Sequence, residues 1–440
     1  MELIDHARIG IVGGGPAGAF TAFFLLDLAK RVGLQIHVDI YEPRNFLLTG
    51  PPGCNMCGGV ISESLIQLMA THGIQLPPEV ILDTLDTYTL HTEAGRVQLH
   101  TPTHEMRIAT IFRGEGPKGS EKQRPLPWDS FDQFILAIAC CKGAHHLPHR
   151  VTKLTWDQGR PQIHCEQSKP QTYDLLVGAV GLNGPGIKLF DDLHFGYRPP
   201  KTTRAFVGEL YYGEEEVKRL LGHAMQVFLL NIPKLKFAAI TPKGPYATLV
   251  ILGDEITPEL TERLLQTPQV QQCLPTGWSL PVIPCHCQPK INIGPPHKPY
   301  ADRVVLVGDC SVSRLYKDGI GAAFHLAKSV AMTAITHGIS NQDFKKHYWP
   351  ACRTMAWDNR LGHLMFTLDK YFLNNHPARV GMLATIRQEQ AKHPESLGML
   401  SRALWDTFTG SATYRSIFPR SLHPKVIARM IWEGTKSLFY

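Results

Sequence analysis

Residues 8–18 read Arg-Ile-Gly-Ile-Val-Gly-Gly-Gly-Pro-Ala-Gly. The run begins as an apolar strand, breaks at a glycine turn and continues into an apolar helix from Ala17 to Leu28. Gly13 permits the tight turn, Gly15 lets the backbone approach a pyrophosphate, and Gly18 lets helix and strand pack closely. Because the first turn of a helix presents unpaired N–H groups to an anion, the segment predicts a dinucleotide site.

A second strand follows the predicted helix and supports the same interpretation. It covers residues 36–41 and ends directly before Glu42. An acidic residue at this position can hold a ribose hydroxyl. The first 45 residues therefore form a strand–helix–strand unit that is typical of a nucleotide-binding sheet.

A second motif lies about 290 residues further along the chain. Residues 303–309 read Arg-Val-Val-Leu-Val-Gly-Asp, and Lys317-Asp-Gly-Ile-Gly321 precedes a helical stretch from Ala322 to Thr336. This pair of motifs resembles the FAD-binding domain of the p-hydroxybenzoate hydroxylase class. The resemblance implies that Asp309 bonds the ribityl chain and that Gly319–Gly321 face the flavin pyrimidine edge, where N–H groups stabilise negative charge on reduced flavin. An ordinary Rossmann dehydrogenase with an incidental Gly-Asp is the alternative.

Within that class, the chain is similar to the geranylgeranyl reductase family of FAD-dependent oxidoreductases. Besides the two glycine motifs, the resemblance rests on Pro-Gly-Cys-Asn-Met-Cys-Gly-Gly at residues 52–59 and on Phe131-Asp132, and it covers roughly residues 7–335. It implies FAD as the cofactor. We assign cofactor contacts to Gly13, Gly15, Pro16, Ala17, Gly18, Glu42, Arg44, Gly58, Gly59, Val151, Gly308, Asp309, Gly319, Ile320 and Gly321.

The chain departs from the class pattern at three places. Val180-Gly181 stands where the class has Asp-Gly, Trp128 stands where it has Arg, and Tyr316-Lys317 stands where the family has Pro. In the class, the Asp-Gly pair is implicated in FAD and NADPH contacts, and the first two departures together count against NADPH use. The electron donor is therefore left open between NADPH and a ferredoxin-like protein.

Cys57 and Lys317 are the candidate catalytic residues. A thiol at Cys57 can donate a proton, and Lys317 can stabilise anionic reduced flavin or orient a substrate headgroup. The alternative for Cys57 is a small packed residue in a loop that Gly58 and Gly59 shape. We expect no metal, although Cys54, Cys57, Cys285 and Cys287 leave open a zinc or iron–sulfur site, a redox dithiol or ordinary loop cysteines.

Composition limits the partners and the compartment. The net charge of +7 is too small to indicate a nucleic-acid binder, and residues 341–440 carry fourteen Lys and Arg against seven Asp and Glu. The N-terminus lacks a secretory signal, so we expect a cytoplasmic protein whose ten cysteines are not structural disulfides. Residues 424–439 predict an amphipathic helix with Val426, Ile427, Met430, Ile431 and Leu438 on one face, either docked on its own protein or in peripheral contact with a membrane.

These patterns predict an α/β protein with a discontinuous, Rossmann-like FAD-binding domain. We expect this domain at residues 1–80, 126–190 and 288–340, a mostly β substrate domain at 81–125 and 191–287, and a C-terminal helical region at 341–440. The predicted function is hydride transfer between flavin N5 and a hydrophobic organic or lipid substrate, such as reduction of an isoprenoid C=C bond. The alternatives are a flavin monooxygenase or halogenase, and a non-catalytic FAD-folded binding protein.

Overall fold

A computed structural model describes residues 1–50, 53–101, 107–114, 130–166, 168–277, 283, 285–392 and 398–436, and it confirms the mixed α/β class. The strands are β1 (Ala7–Val12), β2 (Ile36–Tyr41), β3 (Val60–Ser62), β4 (Ile81–Leu85), β5 (Thr87–Thr92), β6 (Gly95–His100), β7 (Ile108–Ile111), β8 (Ala144–Leu147), β9 (Val151–Asp157), β10 (Arg160–Cys165), β11 (Ser168–Thr172), β12 (Leu175–Gly178), β13 (Thr202–Tyr211), β14 (Ala224–Phe228), β15 (Leu235–Lys243), β16 (Tyr246–Gly253), β17 (Cys285–Cys287), β18 (Lys290–Asn292), β19 (Tyr300–Ala301) and β20 (Val304–Leu306).

The helices are α1 (Pro16–Val32), α2 (Glu63–Ala70), α3 (Phe131–Cys141), α4 (Gly186–Asp191), α5 (Glu214–Leu221), α6 (Pro258–Leu265), α7 (Pro268–Gln271), α8 (Gly319–Thr336), α9 (Asn341–Asp343), α10 (Trp349–Leu373), α11 (His376–Lys392), α12 (Met399–Thr409), α13 (Tyr414–Ser421) and α14 (Pro424–Lys436). Short 3-10 turns lie at Pro78–Val80 and Gly308–Cys310, and a π-helical turn lies at Phe344–Tyr348. The predicted helices over 17–28 and 322–336 are present and begin one and three residues earlier than expected.

The chain divides into two compact units. The first unit contains residues 1–48, 129–202 and 290–359, and the second contains 49–128, 203–289 and 360–440. These bounds differ from the expected domains, because residues 49–80 and 360–440 group with the β-rich unit, and 191–202 and 341–359 group with the nucleotide-binding unit.

The first unit is built on a mostly parallel sheet with the strand order β19-β20-β12-β1-β2-β8. β1 lies between β12 and β2, and its last residue Val12 pairs with Gly178 on one side and Tyr41 on the other. The carboxyl ends of these strands therefore meet at one edge, where ligands bind in sheets of this kind. Helices α1 and α8 pack together through T-shaped contacts of Phe20 and Phe24 with Phe324, at centroid distances of 5.2 and 5.1 Å.

The second unit is built on a sheet with the strand order β17-β13-β16-β15-β14-β5-β6. One face carries Phe206, Leu249 and Ile251 and packs against helices α5 and α6. The opposite face carries Met225 and Ala239 and packs against α11, α12 and α14. A small sheet in the order β3-β7-β4 completes this unit.

The C-terminal helix α14 confirms only part of the expected apolar face. Val426 and Met430 are buried, whereas Ile431 is 61% exposed and Trp432 is 62% exposed. The prediction that Ile431 shares the docked face was wrong, because the helix is rotated so that this residue points to solvent. Leu438 lies outside the described residues. Among the described helices, none is both long enough and apolar enough to cross a lipid bilayer.

Candidate functional site

The glycine turn after β1 has room for glycine alone at two of its positions. Gly13 has a φ of +106°, and a Cβ added to it would lie 2.3 Å from the carbonyl oxygen of Ala179. A Cβ on Gly18 would lie 1.9 Å from the carbonyl oxygen of Gly13. The turn therefore presses helix α1 onto the ends of β1 and β12, as the sequence predicts for these two glycines.

The start of helix α1 is arranged to receive an anion. Gly15 is the N-cap residue and Pro16 occupies the first helical turn, where its missing N–H costs nothing. Helix α1, which the structure describes in full, has no capping side chain and no acidic residue in its first turn. Its first N–H groups and the positive end of its dipole are thus compatible with a pyrophosphate group.

Glu42 holds the glycine turn and Arg44 together. Its side chain is 3% exposed, and its Oε2 accepts a hydrogen bond of 3.0 Å from the N–H of Gly14. The Arg44 guanidinium donates to both carboxylate oxygens, at 3.0 and 3.1 Å, and the Arg44 N–H donates to Oε1 at 3.0 Å. The structure brings together the predicted residues Glu42 and Arg44, and it adds Gly14, which the sequence analysis did not select.

The second motif lies directly against the first. Gly308 has a φ of +78°, and a Cβ there would lie 2.6 Å from the Cβ of Ala17 at the start of α1. Asp309 follows on a short 3-10 turn, and its Oδ1 lies 3.9 Å from the position of a Cβ on Gly319. The predicted residues Ala17, Gly308, Asp309 and Gly319 therefore gather in one place in the first unit.

Asn292 supports this turn and was not predicted. It is 4% exposed, and its Nδ2 donates to the carbonyl oxygens of Asp309 and Ser311 at 3.0 and 2.9 Å. Asn292 lies on β18, outside both glycine motifs, so no local pattern marks it in the sequence.

The N-terminus of α8 is capped by its own loop. Asp318 has a φ of +46°, accepts a hydrogen bond of 3.0 Å from the N–H of Gly321, and pairs with Arg314. Burial raises the pKa of Asp318, against the opposing effects of Arg314, the Gly321 N–H and Lys317. The Gly321 N–H predicted to face a flavin is therefore already engaged, whereas Gly319 is exposed. Lys317 directly precedes this cap and is half-buried.

Val151 and Val180 lie in packed positions. Val151 begins β9, pairs with Cys165 and packs at the edge of the core cluster of this unit. A Cβ on Gly186 would lie 2.7 Å from the Cβ of Val180, so this valine packs against the start of α4. Trp128 lies outside the described residues.

In the second unit, the loop that carries Cys57 rests on the central sheet. The Sγ of Cys57 accepts a hydrogen bond of 3.4 Å from the N–H of Gly59, which has a φ of +64°. A Cβ on Gly58 would lie 3.3 Å from the Cγ2 of Val250 on β16. Both glycines thus shape the loop, as expected, and Cys57 is half-buried. Pro52 lies outside the described residues.

The sheet face beneath this loop carries buried polar side chains that the sequence analysis missed. Val207 and Glu209 on β13 lie directly opposite Val250 and Thr248 on β16, so all four share a face. Glu209 is 3% exposed, and the Thr248 hydroxyl lies 2.9 Å from both of its carboxylate oxygens. A buried carboxylate is costly unless it is paired or hydrogen-bonded, and buried ionisable groups cluster at functional sites, which makes Glu209 a functional candidate.

The cysteines show two different environments. Cys285 and Cys287 pair with Glu209 and Val207, on the same sheet face. Across the residues that the structure describes, no three His, Cys, Asp or Glu side chains gather closely enough to hold a metal ion. Cys310 is fully buried, its thiol donates to the carbonyl oxygens of Gly178 and Val307, and burial raises its pKa to about 12.

Comparison with known proteins relates this architecture to flavoproteins. No protein-family model matches the chain. The ferredoxin–NADP reductase 1 proteins of Bacillus thuringiensis and Bacillus anthracis are 26% identical over 136 residues, which is 28% of this chain and only 35% of theirs.

Solved structures match over nearly the whole chain. A geranylgeranyl bacteriochlorophyll reductase-like protein from Thermoplasma acidophilum has a TM-score of 0.65 at 14% identity and covers 99% of both chains. A flavoprotein/dehydrogenase from Cytophaga hutchinsonii has a TM-score of 0.64 at 12% identity, over 98% of this chain and 100% of that one. A mutant of the halogenase PltM, in a complex with FAD, has a TM-score of 0.59 at 12% identity, over 98% of this chain and 96% of that one. The chain therefore has the fold of these flavoproteins, which confirms the predicted resemblance at the level of the fold.

Proposed function

We propose that this protein is an FAD-dependent oxidoreductase, similar to geranylgeranyl reductases, that transfers hydride between flavin N5 and a hydrophobic organic substrate. The observation that carries the proposal is the convergence of the two glycine motifs, with Gly308 packed on Ala17 and Asp309 beside Gly319. The uncapped start of α1 fits the pyrophosphate of a dinucleotide, and the carboxylate of Asp309 fits a ribityl hydroxyl. FAD, when bound, supplies the hydride chemistry.

The chain's own residues supply binding, charge and a proton. Glu42 and Gly13–Gly18 hold the adenylate half, and Lys317 stabilises negative charge near the start of α8. Cys57 and Glu209 are the candidate proton donors. Cys57 lies in the loop packed on Val250, and Glu209 is buried on the sheet face beneath it. The near-isosteric variants Cys57→Ser and Glu209→Gln, made separately, distinguish which of the two side chains donates the proton.

Anaerobic half-reactions test the reductase chemistry. The holoprotein is photoreduced and then mixed with geranylgeranyl diphosphate without oxygen, while flavin absorbance and product mass are followed. Reoxidation of the flavin together with a mass gain of two hydrogens supports the proposal. Product that forms only with oxygen points to the monooxygenase or halogenase chemistry that the fold also serves, and failure of photoreduction points to a binding protein.

The electron donor is proposed to be a small electron-transfer protein. Val180 occupies the place of the acidic residue that the hydroxylase class uses toward NADPH, and it is packed against Gly186. A nonpolar side chain there cannot accept a hydrogen bond from the nicotinamide nucleotide. Stopped-flow reduction by reduced ferredoxin is expected to be faster than reduction by NADPH, and a fast, saturable NADPH phase would refute this.

A cytoplasmic location with peripheral membrane contact is also proposed. Helix α14 exposes Ile431 and Trp432, and the ammonium group of Lys436 lies 5.2 Å from the centre of the Trp432 ring. An exposed Trp beside basic residues is typical of an interfacial helix. Co-sedimentation with vesicles that contain anionic lipid is expected, and an Ile431→Ser, Trp432→Ser double variant should lose it.

A further inference from the structure

The second unit contains a cavity of about 510 Å³ that neither glycine motif nor the Cys57 loop explains. Every described residue of its lining belongs to this unit. It lies between the segment that joins β14 to β15 and the helices α10 to α14. Cavities of about 300–1,000 Å³ with mostly apolar walls are typical of sites for small organic molecules.

The walls of this cavity are mostly aliphatic and aromatic side chains. They include Met365, Phe366, Phe372, Leu404, Phe408 and Met430. Phe366 and Phe408 also contact Phe237 of β15, at centroid distances of 6.0 and 5.5 Å, which fixes two wall residues against the sheet. Water between such side chains finds few hydrogen-bond partners, so an apolar chain is the occupant that the walls favour.

Three cations of the lining are already paired with acidic side chains. The three ion pairs are Lys234–Glu255, Lys236–Asp254 and Arg379–Glu93. Each pair is neutral as a unit. These pairs therefore favour neither an acidic nor a basic ligand, and the choice falls to the charged side chains that they leave over.

Asp369 on α10 is an acidic residue of the lining that the ion pairs do not use. Within the part of the chain that the structure describes, its carboxyl group takes part in no hydrogen bond and no ion pair. Lys370 follows it directly and is exposed. Because consecutive residues of a helix do not face each other, this ammonium group does not pair with the carboxylate of Asp369.

The surroundings of Asp369 show where its carboxyl group points. The residue is exposed, yet burial raises the pKa of its carboxyl group to about 7. A carboxyl group on an open surface carries no such penalty, so the accessible surface of Asp369 faces the cavity that it lines. A carboxylate without a partner among apolar walls is costly, and a ligand cation with N–H donors would stabilise it.

We infer that this cavity binds a lipophilic primary amine, with its aliphatic chain between the helices and its ammonium group at Asp369. This goes beyond the proposed function, because binding here requires no flavin. An ammonium group offers a positive charge and three N–H donors, whereas an alcohol of the same length offers one neutral donor. A fatty acid of that length brings a second negative charge to the carboxylate, which disfavours it.

Isothermal titration calorimetry of the holoprotein tests the inference with decylamine, decan-1-ol and decanoate. The titrations are done at pH 8, where most of Asp369 is ionised. Decylamine is expected to bind at least about tenfold more tightly than decan-1-ol, because its hydrogen bond to the carboxylate joins two charged groups. Decanoate is expected to bind most weakly of the three. Equal affinities for the amine and the alcohol, or tighter binding of decanoate, would overturn the assignment of the ammonium group to Asp369.

Variants locate the ammonium group and the chain separately. Asp369→Asn keeps the shape of the side chain and removes its charge, so it should abolish the preference for the amine while the Kd for decan-1-ol stays within about threefold of wild type. Ala403→Phe fills the cavity from α12 and should abolish binding of both ligands, whereas Arg402→Phe, on the exposed side of the same helix, should leave both unchanged. An undiminished preference for the amine in Asp369→Asn would overturn the inference.

Folding controls keep these outcomes distinct. Asp369→Asn is expected to fold, because it removes a carboxylate that burial destabilises. Leu404→Trp, also in the lining, is the second filling variant should Ala403→Phe fail to fold. Wild-type binding of both ligands in a folded filling variant would also overturn the inference. Flavin absorbance in each variant separates these results from loss of FAD and thus from failure of the proposed function.

Discussion

Replacing Glu42 by Gln tests whether this carboxylate organises the nucleotide turn. The carboxylate accepts hydrogen bonds from Gly14 and Arg44 and is almost fully buried. Glutamine keeps the shape of the side chain but replaces one acceptor oxygen by an NH2 group, which cannot accept from Gly14 or Arg44. The perturbation therefore removes charge and one acceptor without opening a cavity.

The expected loss can be worked from the contacts. A buried hydrogen bond to a charged group contributes about 1.5–3 kcal/mol. The contribution of Arg44 is smaller, because its side chain is 35% exposed and solvent screens the pair. Because the same bonds hold the turn before FAD binds, the loss reaches the Kd for FAD only as the free energy of reorganising the turn, which is at most about 2 kcal/mol or about 30-fold.

The assay is a titration of the apoprotein with FAD, followed by flavin fluorescence. Asp39→Asn is the matched control, since Asp39 lies on β2, the strand that Glu42 follows, but accepts from Tyr173 and pairs with Arg8, away from the glycine turn. The control should lose stability while its Kd for FAD stays within about threefold of wild type. A Kd within about threefold of wild type in Glu42→Gln would refute the role given to this carboxylate.

Four further outcomes follow from the geometry. Asp309→Ala should lose most bound FAD yet keep a folded apoprotein by circular dichroism, and full flavin occupancy would show that the second motif is misassigned. Gly18→Ala should destabilise the protein by about 3 kcal/mol or more in chemical denaturation, because its Cβ would lie 1.9 Å from a backbone oxygen, whereas Gly184→Ala has open space and should cost little. Cys57→Ser should impair turnover with the true substrate and leave FAD content and photoreduction intact; unchanged turnover would leave only the structural role of Gly58 and Gly59. Since burial raises the pKa of Cys310 to about 12, this thiol should stay protonated at pH 8 and resist iodoacetamide in the native protein, while the half-buried Cys57 is alkylated, as peptide mass spectrometry can show.

The parts of the site that the sequence predicted are those with local causes. Gly13 and Gly18 are required by close backbone approach within one turn, so their spacing alone identifies them. Glu42 follows its strand directly, and its position near the turn is a consequence of parallel pairing between β1 and β2. Residues with such local roles can be identified from the amino-acid sequence alone.

The residues that the sequence did not predict depend on distant contacts. Asn292 reaches Asp309 from β18, and Glu209 becomes a buried carboxylate only when β13 pairs with β16 and the sheet is covered. In the sequence, Glu209 is one polar residue within the otherwise apolar run 205–210. The exposure of Ile431 on α14 likewise depends on how far the helix is rotated against its unit, which an apolar periodicity does not specify.

The two glycine motifs are proposed to hold FAD together. The most direct measurement is mass spectrometry of the cofactor released from purified protein by heat, together with its visible absorbance before release. A yellow protein that releases FAD is the expected result. Release of FMN or NAD alone, or a colourless apoprotein that FAD does not saturate, would contradict it.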